Sequence, residues 1–233
     1  MGLAVRLLIA VRVLVVNAGS SSLKLRVLDP ADRTVASVQV QRWSGESDLD
    51  PVAEFLAGVD AIEAVGHRIV HGGARFDRPV LLTPTITARL RTLTDLAPLH
   101  QPRSLAAVAA VHRLLPQLPA VGCFDTAFHA TLPPAASTYA LPAGWRRRWG
   151  IRRYGFHGLS HAYAARRAAQ LIGTPLDQLR IVTCHLGAGA SACAVAAGRS
   201  VDTTMGFTPL DGLVMATRSG RVDPGLLIWL QQH

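Results

Sequence analysis

Apolar residues recur along this chain with two different periods. Short runs rich in valine and isoleucine stand at residues 12–16 (RVLVV), 23–28, 35–40, 64–70 (AVGHRIV), 120–124 and 180–184, with the length and composition of strands. Between them the spacing turns helical. TPTITARLRTLTDLA, 83–97, opens on threonine and proline, RSLAAVAAVHRLL, 103–115, repeats apolar residues at helical intervals, and SHAYAARRAAQLIG, 160–173, runs from Ser160 as its expected cap to Gly173 as its stop. Strands alternating with helices predict an α/β fold of layered, partly parallel sheets. The proline-rich stretch LPPAASTYALPAGW, 132–145, reads as a connector between a first domain over 12–131 and a second over 146–233, with 1–11 as a leader.

One pattern occurs twice. When RVLVVNAGSSSLKLRVLDP from Arg12 is laid over RIVTCHLGAGASACAVAAG from Arg180, strand meets strand, Asn17 meets His185 and Gly19 meets Gly187. Each copy is an apolar strand ending in a polar residue, a turn of small residues, and a second strand. Glycine lets backbone N–H groups approach an anion closely, and hydroxyls add donors, so such a turn suits phosphate. Two copies imply two similar lobes that face one nucleotide. Neither copy matches GxxxxGK[ST], nor GxGxxG followed by a helix, so P-loop and Rossmann readings are weak.

Composition narrows the picture. The 233 residues are 49% hydrophobic and 6% aromatic, an ordinary globular balance. The net charge of +9 raises a nucleic-acid partner, but the arginines are scattered, and only Arg146–Arg148 with Arg152 and Arg153 form a cluster, so none is expected. Among 24 basic residues Lys24 is the sole lysine. A lysine is a compact point charge where arginine is a planar fork, which singles Lys24 out. Three widely spaced cysteines, at 123, 184 and 193, form no disulfide framework, and a cytoplasmic location is expected. Arg12 interrupts the apolar start, which speaks against a signal peptide, and no apolar run is long enough to span a bilayer.

VLVVNAGSSSLK, GHRIVHGG, LAPLHQP, FDTAFHATLP, YGFHGLSH, HLGAGAS, MGFTPLDGL and TRSGRVDPG resemble, in order, the sequence blocks of acetate kinases, the acetokinase family of the acetate and sugar kinase, Hsp70 and actin superfamily. The resemblance implies a two-lobed ribonuclease H-like, actin-like α/β fold, and transfer of a phosphoryl group between ATP and a short carboxylate with Mg2+. The partners implied are acetate, acetyl phosphate and ATP or ADP, with a homodimer for the full-length protein. Propionate kinases of the same family are the alternative, as is an inactive truncated remnant.

By that resemblance, Arg68 and Arg218 clamp the carboxylate and the transferring phosphoryl, a task suited to the bidentate guanidinium. His157 and His185 stabilise the transition state by donating to phosphoryl oxygens, and His100 supports them. Asp125 is a catalytic aspartate that positions metal or substrate. Asn17 supports magnesium; Ser20, Ser22, Lys24, Gly187 and Gly189 face the phosphates; Val70, Leu99, Phe156 and Pro209 form a small pocket for the methyl group. His157 and His161 also stand four residues apart, but HxxxH lacks the glutamate of HExxH, so zinc is the weaker reading. The remaining histidines, 67, 71, 112, 129 and 233, are expected to be structural.

Two departures stand out. Where the family has HLGNGSS, this chain has Ala188 and Ala190 in HLGAGAS, which predicts the loss of two donors and weaker nucleotide binding. The family also continues beyond the helix that follows TRSGRVDPG with the adenosine pocket and a magnesium-binding glutamate, so the second lobe is expected to be incomplete here.

Overall fold

A computed structural model of the chain describes residues 11–19 and 22–233. Most of the expected leader and Ser20 therefore lie outside the described residues. Contacts divide the chain into two units, the first comprising the described residues up to Ile69 with Val80–Thr94 and Pro98–Gly122, the second Val70–Pro79, Asp95–Ala97 and Cys123–His233.

The first unit is built on a sheet in the order β3-β2-β1-β4-β6-β5, from β1 (Val13–Ala18), β2 (Ser22–Leu28), β3 (Thr34–Gln41), β4 (Ala64–Ile69), β5 (Val80–Leu81) and β6 (Ala120–Phe124). β1 to β3 form an antiparallel meander, while β1 pairs with β4 in parallel. That parallel step takes the chain across helix α1 (Asp50–Ala57). Alternation does the sorting: Leu14, Val16 and Ala18 of β1 and Leu23, Leu25 and Val27 of β2 are buried, with the intervening residues turned to the other face. The buried set packs with Trp43, Val52, Val65 and the Ala107, Ala110 and Val111 stripe of α3 (Gln101–Leu114). Each large aliphatic side chain so buried contributes about 1.5–3 kcal/mol. α2 (Pro84–Arg91) begins as its sequence predicts, with Thr83 Oγ1 accepting the Ile86 N–H and Pro84 in the first turn.

The second unit carries α4 (Pro134–Ser137), α5 (Ala143–Trp149) and α6 (Gly158–Ile172), then the antiparallel sheet β7-β8-β9 from β7 (Arg180–Leu186), β8 (Ala190–Ala196) and β9 (Arg199–Thr203), and finally α7 (Pro224–Gln231). Gly173 ends α6 in the left-handed conformation at φ 68°, as expected. The start differs from expectation. The helix begins at Gly158, and its cap is His157 in the left-handed region at φ 59° rather than Ser160, which lies inside the first turn. A competing contact explains this: the Gly158 N–H donates to the Asp125 carbonyl at 2.9 Å, and any side chain at 158 would collide with that carbonyl and with Phe128. α6 packs against β7 and the 3-10 turn Ala127–Thr131. α7 buries none of its residues, leaving Leu226, Leu227, Ile228, Trp229 and Leu230 exposed.

Both copies of the duplicated pattern fold as antiparallel hairpins, β1–β2 and β7–β8. Each turn is closed by its first glycine, with Gly19 N–H donating to Ser22 O at 2.8 Å and Gly187 N–H to Gly189 O at 3.0 Å.

Candidate active site

The polar residues expected to carry chemistry form one array in each unit. In the first, strand register sets the array: Asn17 pairs with Lys24 across the antiparallel ladder and with Arg68 across the parallel one. Residues in register on neighbouring strands share a face, so Lys24, Asn17 and Arg68 form a row across β2, β1 and β4. Arg68 Nη1 donates to Asn17 Oδ1 at 3.0 Å. Lys24 is exposed and Ser22 buried. Arg103 of α3, which the sequence did not single out, donates to Gly19 O at 3.1 Å and Trp43 O at 2.7 Å, holding the turn from below. His100 caps α3 without a side-chain bond to the helix, and Leu99 before it is 77% exposed.

In the second unit, histidines gather around the β7–β8 turn. His157 and His185 stack with ring centroids 3.9 Å apart and planes inclined by 23°. His185 Nδ1 lies 2.9 Å from Ser160 Oγ. His157 Nδ1 lies 2.8 Å from Ser191 Oγ, whose other side meets His161 Nε2 at 2.8 Å, while His161 Nδ1 lies 2.8 Å from Thr183 Oγ1. His157 and His161, the pair weighed for zinc, thus share one serine hydroxyl. A Cβ at Gly189 would stand 3.4 Å from His157 Nε2 and 3.5 Å from Arg218 Nη1, ordinary contact distances, so the turn lies directly beside both groups. Arg218 is tied by Nη1 to Pro209 O at 3.0 Å. Asp125, directly after β6, is buried.

Burial sets the electrostatics. It pushes His161 down to about 4, and His129 likewise to about 4 despite the opposing influence of the Phe156 carbonyl and Asp125. His129 was expected to be structural, and it bridges Ser200 Oγ at 2.8 Å and Phe156 O at 3.0 Å, fixing the residue before His157. Val70 and Phe156 pack with Tyr154, Ala190, Met205 and Met215. Ala190 is thus enclosed in an apolar cluster, and of the two alanine departures only Ala188 stands exposed in the turn. Arg153, from the basic cluster, is largely buried and donates to the carbonyls of Ala136, Thr203, Thr204 and Met205, which is a structural role. Among the described residues no helix is long and apolar enough to cross a membrane, and no cluster of three His, Cys, Asp or Glu stands ready for a metal ion.

Comparison with known proteins points to one family. A model of the acetokinase family matches residues 46–233. The acetate kinase of Deinococcus radiodurans is 47% identical over 248 aligned residues, covering 94% of this chain and 62% of that protein. The acetate kinase of a Synechococcus strain is 52% identical over 186 residues, covering 80% and 44%. Among solved structures, an acetate kinase of Porphyromonas gingivalis superposes with a TM-score of 0.86 at 38% identity, and a propionate kinase of Francisella tularensis with 0.87 at 33%. Each covers 96% of this chain, which spans 64% of either one.

Proposed function

Because this chain belongs to the acetokinase family, we propose that it serves the reversible transfer of the γ-phosphoryl group of ATP to acetate. A carboxylate oxygen attacks the γ-phosphorus, the bond to the β-phosphate oxygen breaks, and acetyl phosphate and ADP leave. The observation that carries this reading is the grouping of His157, His185 and Arg218 about the Gly187–Gly189 turn. Such a transfer needs charge neutralisation and alignment rather than a covalent intermediate on the protein. Three donors beside an open glycine turn supply the first of these.

In this reading Arg218, held by the Pro209 carbonyl, binds the carboxylate or phosphoryl oxygens through the rest of its fork. His157 and His185 donate to the equatorial oxygens as charge develops. Arg68 is the second clamp, fixed by Asn17; Ser20, Ser22 and Lys24 meet the nucleotide phosphates; Asp125 orients metal or substrate; His100 supports the site. Mg2+ keeps several waters and takes few protein ligands beside phosphates, and the amide oxygen of Asn17 is a hard donor of the right kind, so the residues present fit it. When bound, the ion neutralises phosphate charge. Val70 and Phe156 carry the methyl pocket, with Pro209 at its polar edge, whereas Leu99 contributes as an exposed residue. The family reading also implies a cytoplasmic location and, for the full-length protein, a homodimer, while the 132–145 stretch expected as a connector lies within the second unit.

The chain spans about 62–64% of the length of several relatives.

The test is hydroxamate trapping of the acyl phosphate formed by residues 1–233 with ATP, Mg2+ and either acetate or propionate. Faster turnover with acetate supports the proposal, and faster turnover with propionate moves the assignment to the alternative acyl group; one methylene is worth only about 1–3 kcal/mol. No turnover with either carboxylate by the folded chain overturns it.

A further inference from the structure

The hydroxyl of Ser191 is fully buried and has one proton to give, yet two imidazole nitrogens stand 2.8 Å from it, His157 Nδ1 and His161 Nε2. Only one of them can receive that proton; the other must donate. The next link decides which. Thr183 Oγ1 lies 2.8 Å from His161 Nδ1 and donates to the Cys193 carbonyl at 3.4 Å. A carbonyl only accepts, so the threonine proton is spent there, and His161 Nδ1 must carry the hydrogen that meets Thr183. Burial keeps His161 neutral, at about 4, so its Nε2 is a bare acceptor. Ser191 therefore gives its proton to His161, and His157 Nδ1 must donate to Ser191.

We propose that Thr183, His161 and Ser191 form a one-way positioning relay that holds the Nδ1–H of His157, so that His157 can donate from Nε2 to a phosphoryl oxygen only as the imidazolium. A free neutral imidazole favours the Nε2–H form, which would donate from Nε2 uncharged. The relay removes that option. Nε2 is the nitrogen placed beside the glycine turn, 3.4 Å from where a Gly189 Cβ would stand. For its functional meaning the inference rests on the reading of His157 given above; its hydrogen-bond content does not.

The charged groups around His157 set when the cation forms. The first turn of α6 follows it and Arg218 lies across Gly189, both opposing positive charge. His185 of β7 stacks on it, and its own protonation would oppose a second cation. Asp125, whose carbonyl accepts the Gly158 N–H, offers the opposite sign, and a phosphate bound at the turn would add to it. His157 then becomes a cation together with its ligand, and donates where negative charge has arrived.

Nitrogen NMR of the 15N-histidine-labelled chain of residues 1–233, assigned with His157→Gln, reads each tautomer directly. The neutral form of His157 is expected to carry its hydrogen on Nδ1, and to shift to the ordinary Nε2–H form in Ser191→Ala. Should Ser191→Ala fail to fold, Thr183→Val releases the same constraint one link further back and is expected to erode the Nδ1–H preference. An Nε2–H tautomer in the parent chain, or an Nδ1–H form untouched by either variant, overturns the relay. Inorganic phosphate is expected to raise the pH at which His157 titrates; an unchanged titration overturns the link to anion binding while leaving the relay standing. In the hydroxamate assay the rate should fall as pH rises through that titration, and Ser191→Ala should flatten the fall, a readout that a merely structural serine would not move. Absence of any turnover alongside the Nδ1–H signal removes the catalytic reading alone.

Discussion

The two glycine hairpins share a backbone and differ in what they surround it with. Around the β1–β2 hairpin the polar groups stand in one row across β2, β1 and β4, exposed at Lys24 and half-buried at Asn17 and Arg68, with the turn propped by Arg103. In the β7–β8 hairpin they stand behind the turn in a buried chain of Ser191, His161 and Thr183 that ends on His157. The first arrangement supplies permanent charge and hydroxyls, as suits groups that stay anionic throughout. The second supplies oriented imidazoles, whose charge depends on what is bound. On the proposed function, the first copy would hold static phosphate contacts and the second the responsive ones.

The comparison breaks most sharply at the reacting groups. His157→Ala or Arg218→Ala should lower acyl phosphate formation by about 10²–10³-fold, the range for removing one oriented donor. Equal losses from Lys24→Ala would erase the distinction between the copies.

Acid should separate the copies next. Burial holds His71, His129 and His161 of the second unit, and His67 of the first, down at about 4. Each has its unfolded value at 6.5, so between 6.5 and 4 the unfolded chain binds more protons than the folded one. Stability is fully present above 6.5 and is lost as pH falls through that window. Urea unfolding at stepped pH should show this decline, with hydrogen exchange rising first around α6 and β8. A flat profile from pH 7 to 4 would mean that these imidazoles are hydrated.

The frame itself comes third. Gly158→Ala drives a methyl group into the Asp125 carbonyl, and should destabilise by about 1–3 kcal/mol in urea melts. Gly66→Ala on β4, where a Cβ would meet only Val13 at 3.9 Å, should cost far less. Comparable costs would show that α6 can slide to make room.

How far all this was legible follows sequence distance. Both hairpins, the β6 strand and the Thr83 cap were visible because their determinants are local: apolar runs, small-residue turns and a threonine before a proline. The start of α6 was misread, since Ser160 looked like a cap and the real determinant is a backbone contact to Asp125. The relay was invisible because Ser191 reaches back to His157 and His161 through the fold, and nothing in HLGAGAS marks its serine as a proton donor to histidine. Arg103 escaped for the same reason, with its partner Gly19 on a distant segment. The candidate chemistry-bearing residues were read from their motifs, while the residues that orient them became visible only in three dimensions.

Ala188 tests whether the second turn has given up static donors. It stands exposed in the turn, so Ala188→Asn should tighten ATP binding by about 1.5–3 kcal/mol, roughly 10–150-fold, if it adds a charge-assisted bond. Equal affinities by calorimetry would show that the histidines and backbone already satisfy the anion.

The smallest effect belongs to Lys24→Arg. Charge is conserved and the side chain is exposed on β2, so fold and melting temperature should hold. What changes is shape: a planar fork spreads its charge over three nitrogens, where the ammonium concentrates it at one point. If Lys24 acts as a point charge on phosphate, ATP affinity should weaken by up to about tenfold, about 1.4 kcal/mol, with acetyl phosphate binding unaffected because the second unit carries it. An equal loss for both ligands would place Lys24 on the acyl-phosphate side, and the two hairpins would no longer divide the phosphate chain between them.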